Sequence, residues 1–544
     1  MRRREFIITV AASASSVYAA SKFLELLEEP VAALESQSQR QRYSQTLNLV
    51  EATIPEIRAA LDSGLLTSKE LVQLYLNRID AYDNIINAIR EINTKALQTA
   101  KKLDVKRTLK GSRGPLFGIP ILLKDNINTA DEPTTAGSLA LQGSIPPYDA
   151  FITKKLRQAG AIILGKANLT EYANYLTVGM PSGYSSLGGY VFNPYDPRPL
   201  PGGDGRPVLD PSGSSSGPAA AVAANLVTVA IGTETSGSIL SPSNQNSLVG
   251  IKPTVGLVSR YGIIPIAHSQ DTAGPIARTV TDAAIVLGAL TGVDPNDPAT
   301  STSEGHFYTD YTQFLQVDGL KDARIGVPRD YYWDSLTPEQ KTIVEDAITQ
   351  MKNLGAEIID TNIPTARELA TFNSSVLSYE FKQDLNAYLS TLGPNAPVKT
   401  LADIIAFNNA HPQTALKYGQ TLALASEARD LEQDQPQYLA DRATDLRLAK
   451  DEGLDFIIDN YNLDAVLFPG SRGAAIGAKA GYPSIIVPAG YLSTGAPYGI
   501  TLLGKAYSEP TLISLAYSYE QATKVRQAPT STPPLPQDTK TVPT

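Results

Sequence analysis

Cysteine is absent from all 544 residues, and histidine occurs three times, at His268, His306 and His411. The first absence excludes disulfides, a thiolate nucleophile and a Cys-ligated metal or cluster. Three histidines so far apart in the chain argue against a His-built metal site, and they narrow the choice of base for any hydroxyl nucleophile. An excess of basic charge is also missing. With 46 Lys and Arg against 55 Asp and Glu the net charge is −9 and the pI about 5.1, the reverse of the basic face that nucleic-acid binding uses. No linker interrupts the body of the chain, and its 42% apolar residues are enough for one large α/β unit.

The N-terminus, MRRREFIITVAASASSVYAASK, reads as an export signal over residues 1–20. Arg3-Arg4-Glu5-Phe6 is a twin-arginine pattern, followed by a short apolar region and a small-residue exit near Val17-Tyr18-Ala19. The competing reading is an ordinary amphipathic helix. That apolar region is too short to span a bilayer, so the expected location is outside the cytoplasm, periplasmic or extracellular, with no stable membrane insertion. From Leu47 the chain turns helical. Thr67-Ser68-Lys69-Glu70 is a capping box, with Leu71, Leu74, Tyr75 and Ile79 on one face. A strand is expected at 88–92 and a helix at 96–103. Segment 150–176 alternates helix, strand and helix, the grammar of a parallel or mixed sheet.

Ile119 to Leu123 is a continuous apolar run, as for a strand buried on both faces, and it ends in Lys124. A lysine at the mouth of such a strand faces either water or a desolvated site. Asp125, next in an extended chain, points to the other side and reads as a structural hydrogen-bonding group. Beyond Arg278 helices are expected at 281–290 and 338–354, strands at 324–327, 357–359, 465–468 and 482–490, and mostly helix over 365–460. Tyrosines in SVLSYEF and ALKYGQ there read first as helix packing and second as pocket lining. The Pro- and Thr-rich tail, 528–544, reads as disordered.

The chemistry concentrates between Gly202 and Arg278, where two clusters of small hydroxyl residues sit in Gly-rich turns on either side of an apolar helix and strand. Glycine lets backbone N–H groups converge on a reacting atom, and serine supplies a nucleophile that needs a base. Gly213-Ser214-Ser215-Ser216-Gly217 matches the G-x-S-x-G elbow, which would make Ser215 the nucleophile. That elbow needs a strand before it, whereas NPYDPRPLPGGDGRPVLDP is loop by every Pro and Gly signal. A plain Ser/Gly linker fails as well, because the segment runs directly into PAAAVAANLVTVAI, with Pro218 suited to a helix's first turn.

The runs SGSSSGPAAAVAANL, GTETSGSI and VGIKPTVGLVSRYGIIPIAHSQDTAGPIAR resemble the amidase signature family, above all its bacterial peptide amidase branch. GPLFGIPILLKDNINTADEPTTAGS, with the family's IPxxLKD pattern, resembles it too. The resemblance covers roughly residues 46–525, with specific motifs at 118–138 and 202–278. It implies a single α/β domain with a central mixed β-sheet covered by helices on both faces, and a Ser, cis-Ser, Lys triad. Carried onto this chain, the nucleophile is Ser238, the bridging serine is Ser214, 24 positions earlier, and the base is Lys124. The cis peptide falls between Gly213 and Ser214, and the oxyanion falls to the backbone N–H groups of Thr235, Ser236, Gly237 and Ser238.

That chemistry requires a neutral Lys124 at rest, although a free lysine titrates near 10.4; burial lowers it. Activity should therefore rise toward alkaline pH. Two positions depart from the family pattern: Ser236 stands where Gly or Asp is common, and Leu240 where Arg is. Backbone donors survive both changes, while substrate orientation is affected. The loop before Ser214 is longer than the family usually carries.

Three functions are compatible with these features. The first is an exported amide hydrolase, acting on a small amide or a peptide C-terminal amide. The second is the amidotransferase component that supplies ammonia to misacylated tRNA, opposed by the export signal and the acidic charge. The third is a non-catalytic binding protein on the same scaffold, opposed by the intact Lys124, Ser214 and Ser238. None implies a cofactor or a metal.

Overall fold

The computed structural model describes residues 46–541. Its centre is a sheet of eleven strands: β1 Ile89–Ile92, β2 Pro120–Lys124, β3 Ile162–Ala167, β4 Val229–Glu234, β5 Val249–Lys252, β6 Thr272–Ala277, β7 Arg324–Pro328, β8 Glu357–Thr361, β9 Ala465–Pro469, β10 Ser484–Tyr491 and β11 Pro497–Leu503. Across the sheet the order is β8-β7-β9-β11-β10-β5-β6-β4-β2-β3-β1. Pairing is parallel among β8, β7 and β9 and among β3, β2 and β4, and antiparallel elsewhere, so the sheet is mixed. Every residue of β2, β3, β4, β6, β9 and β11 is buried. This is why the run Ile119 to Leu123 reads as continuously apolar rather than alternating. Helices cover both faces of the sheet, in one α/β domain. No helix among the described residues is long and apolar enough to cross a membrane.

Most expected elements are present with boundaries moved by a few residues. The Thr67–Glu70 capping box opens a helix over Ser68–Ile86, and the helix expected at 96–103 runs over Ala96–Lys110. The export signal expected at 1–20 lies outside the described residues. The segment after β3 differs. Instead of a helix, 168–176 holds only a 3-10 turn, Glu171–Asn174, with Tyr172 at φ 47° and Ala173 at φ 53°. Tertiary bonds override helix propensity there: Glu171 turns inward to accept from Ser186 N–H and Oγ, and Tyr172 N–H donates to the Ala136 carbonyl.

The tail corrects the composition-based expectation of disorder. Thr539–Thr541 pairs antiparallel with Thr46–Asn48, and Asp538 makes a fully buried ion pair with Arg78 at 2.5 Å. The same guanidinium donates to the carbonyls of Ala224, Asn225, Thr532 and Pro533. A segment poor in apolar side chains is thus held by polar anchoring, which composition does not register.

Candidate active site

The strand order brings three strand ends to one edge. β2 lies parallel beside β4, with Leu123 opposite Ile231, so Lys124 and Thr233 emerge together. β6 runs antiparallel to β4 with Thr272 opposite Glu234, which places Asp271 at the same edge. Lys124 is wholly buried. Its Nζ donates to Ser214 Oγ at 2.7 Å, Thr233 Oγ1 at 2.9 Å and the Thr233 carbonyl at 3.2 Å. Burial brings its pKa down from 10.5 to about 7, against the opposing pull of the Asp271 and Glu234 carboxylates. Asn126 Nδ2 donates to Thr233 Oγ1 at 2.9 Å and steadies the acceptor.

Ser214 precedes the helix Ser216–Ala223, and the Gly213–Ser214 peptide is cis. Gly213 is required by close approach: a Cβ there would come within 2.5 Å of Thr170 Oγ1. Ser215 is not an elbow nucleophile. Its buried hydroxyl donates to the Thr233 carbonyl at 3.1 Å and accepts from Thr233 N–H at 3.3 Å, so it fastens the helix to β4.

Ser238 stands at the end of the turn that leaves β4. Gly237 has φ 86°, and a Cβ on it would meet Ser241 Oγ at 2.9 Å. The Glu234 carboxylate closes the turn by accepting from the N–H groups of Ile239 and Leu240 at 2.7 and 3.0 Å. Within it, the N–H groups of Thr235, Ser236, Gly237 and Ser238 donate to no other group of the described residues. Ser215 N–H donates to the Ser238 carbonyl at 3.2 Å, tying the two serine segments together. The two side chains are not joined: among the described residues the hydroxyl of Ser214 is bonded to Lys124 and not to Ser238.

A cavity of about 280 Å³ opens on this edge. Asn126, Thr233, Thr235 and Asp271 form its inner wall. Apolar walls come from Ile264, Ile266 and Tyr388, and charged groups from Arg260, His268 and Asp384. The lining tyrosine on the helix Val376–Ser390 is Tyr388. Tyr379 stacks on Tyr438, and Tyr418 packs against Tyr184, so those expected first as packing residues are packing residues.

A family model described as Amidase matches residues 70–513. The chain belongs to the amidase family. It is 43% identical over 500 residues to a protein of Arabidopsis thaliana named "Probable amidase", covering 90% of this chain and 93% of that one. The structure of native peptide amidase from Stenotrophomonas maltophilia superposes with a TM-score of 0.81 at 44% identity, over 88% of this chain and 98% of that one. A component of the Glutamyl-tRNA(Gln) amidotransferase of Gloeothece citriformis is 34% identical over 516 residues, 89% of this chain and 100% of that one.

In this amidase the two departures noted in sequence have different surroundings. Ser236 is exposed, whereas Leu240 is fully buried in a small apolar cluster with Ala474 and Ile486. None of the three histidines is hydrogen-bonded to a serine side chain among the described residues. His306 stacks on Tyr507 and His411 on Phe407. His268 joins Glu380 and Asp384 in a group that satisfies itself, with Nδ1 2.9 Å from Asp384 and the Glu380 carboxylate accepting from Tyr438 and the Ser269 N–H. Asp125, as expected, is structural: it is paired with buried Lys166 and bonded to Thr135. Sequence reasoning missed Thr233, Glu234, Asn126 and Asp271. Only the acidic residue four positions before Ser238 carried a signal, and it passes for one more polar residue in a Gly/Ser turn.

Proposed function

We propose that this amidase hydrolyses a carboxamide to a carboxylate and ammonia through an acyl-enzyme on Ser238. The observation that carries the reading is Lys124: fully buried, brought to a pKa of about 7 by that burial, and 2.7 Å from Ser214 Oγ. Ser238 Oγ attacks the amide carbon while Ser214 takes its proton and passes its own to neutral Lys124. The tetrahedral oxyanion is met by the N–H groups of Thr235 to Ser238, which have no partner to give up among the described residues. Collapse breaks the C–N bond, and the relay runs backward to protonate the departing nitrogen. Water then enters, gives its proton to the same relay, and releases the carboxylate. The Ser238–Ser214 link is expected to close as substrate binds, because catalytic hydrogen bonds tighten in the substrate complex.

A peptide C-terminal amide is the proposed substrate class. Its support is the 44% identity to the Stenotrophomonas maltophilia peptide amidase across nearly the whole of that chain, with an apolar-walled cavity of about 280 Å³ beside the nucleophile turn. Ammonia-supplying action in a tRNA amidotransferase is the second reading, favoured by the match to the Gloeothece citriformis amidotransferase component. The twin-arginine pattern and the charge of −9 support the first, with export to the periplasm or the medium.

The test is ammonia release from peptide amides, aliphatic amides and aryl amides by wild type and Ser238→Ala. Release from peptide amides that Ser238→Ala abolishes supports the reading. Turnover only in a stable complex with other proteins would favour the second. Cell fractionation of wild type and an Arg3→Lys, Arg4→Lys variant tests export.

A further inference from the structure

Asp271 has no part in the proton relay, yet its carboxylate sits at the centre of the site's edge. Oδ1 accepts from Thr235 Oγ1. Oδ2 accepts from the N–H groups of Ile266 and Ala267 at 2.8 and 3.0 Å. One carboxylate therefore links the cavity wall of Ile264 to Ile266 to the first residue of the nucleophile turn. It also lines the cavity itself. The Asp271 carboxylate, ahead of that of Glu234, favours the protonated form of Lys124.

We infer that Asp271 is a positioning residue of the reaction: it clamps Thr235, and with it the turn that carries Ser238, and it supplies the negative charge against which Lys124 gives up its proton. The inference rests on the Ser238–Ser214–Lys124 reading. Thr235 N–H is one of the four donors of the turn that have no partner among the described residues. Glu234 and the Ser215 N–H hold the far end of the turn, and the Thr235 hydroxyl ties its first residue to Asp271. Other charged groups facing Asp271 are Asp384 on the helix Val376–Ser390 and Arg260 on the cavity wall. Burial raises the Asp271 pKa to about 6, while the three donors it accepts from, the Thr235 hydroxyl and the N–H groups of Ile266 and Ala267, favour the ionised form.

The test compares wild type, Asp271→Asn, Thr235→Val and Thr235→Ser on an amide that wild type hydrolyses. Asn keeps an oxygen for the two N–H groups and loses the charge. Its expected kcat is about tenfold to a hundredfold lower. The acid limb of its kcat/KM profile should move to lower pH by about one unit, because the neighbour that favours protonated Lys124 has gone. A residue that merely supports the fold would lower the melting temperature and leave the limb in place; a limb unmoved, or moved to higher pH, overturns the inference. Should Asp271→Asn not fold, the threonine pair decides. Thr235→Val is expected to lose about tenfold or more in kcat and Thr235→Ser to restore it, whereas wild-type kcat in Thr235→Val overturns the clamp. Wild-type turnover that survives Ser238→Ala would instead remove the underlying triad reading, a result separate from either of these.

Discussion

Lys124 Nζ lies 2.7 Å from Ser214 Oγ, although ninety positions separate the two residues in the chain. Parallel pairing of β2 with β4 sets this contact, because it carries Lys124 to the edge where Thr233 receives its other two bonds. An ammonium here is deprived of water on every side, which is what brings its pKa to about 7.

The pH profile of kcat/KM should therefore show an acid limb centred near 7. Lys124 has a lowered pKa, so below that value it is protonated and cannot take the Ser214 proton, and above it the active neutral form dominates. Steady-state kinetics between about pH 5 and 9 checks this. A profile flat across the acid side contradicts it.

Ser214→Ala removes the hydroxyl that Lys124 Nζ reaches at 2.7 Å. The expected loss in kcat is about a hundredfold to ten-thousandfold, the range of a lost general acid–base step. Circular dichroism and the melting temperature should stay near wild type, since among the described residues Ser214 Oγ bonds to Lys124 alone.

Gly237→Ala places a Cβ 2.9 Å from Ser241 Oγ at a φ of 86°. Ser241 is itself bonded to Ser471 at 2.8 Å and gives way at the expense of that bond. The turn must shift, and the N–H groups beside Ser238 shift with it. Activity is expected to fall about tenfold or more, with a melting temperature close to wild type.

Arg78→Ala leaves Asp538 buried without its partner and strands four backbone carbonyls. Breaking such a pair typically costs about 3–5 kcal/mol. Denaturant unfolding should show a loss of that order, and limited proteolysis should release the segment beyond Ala528. An unchanged midpoint would mean that the tail contributes nothing to the fold.

Much of this architecture was legible in sequence. Continuous apolar strands such as Pro120–Lys124 and Val229–Glu234 show their burial directly, and the capping box at Thr67–Glu70 announces its helix. The cis Gly213–Ser214 peptide and the placement of Ser214 against Lys124 came through the family resemblance, not through periodicity or spacing. Contacts made by long-range folding left no local trace. Glu171 turning inward to Ser186 replaced an expected helix, and Arg78 reaching Asp538 ordered a tail whose composition suggested disorder. Thr233 and Asp271 were invisible for the same reason: each matters through a partner that only the sheet order brings near.

The most direct measurement is peptide mapping by mass spectrometry after reaction with a fluorophosphonate, across about pH 5 to 9. A single adduct on Ser238, formed at a rate that rises through about pH 7 and lost in Lys124→Ala, is the predicted result. An adduct on Ser215 or Ser236, or no adduct on an enzyme that hydrolyses amides, would contradict Ser238 as the nucleophile served by Lys124.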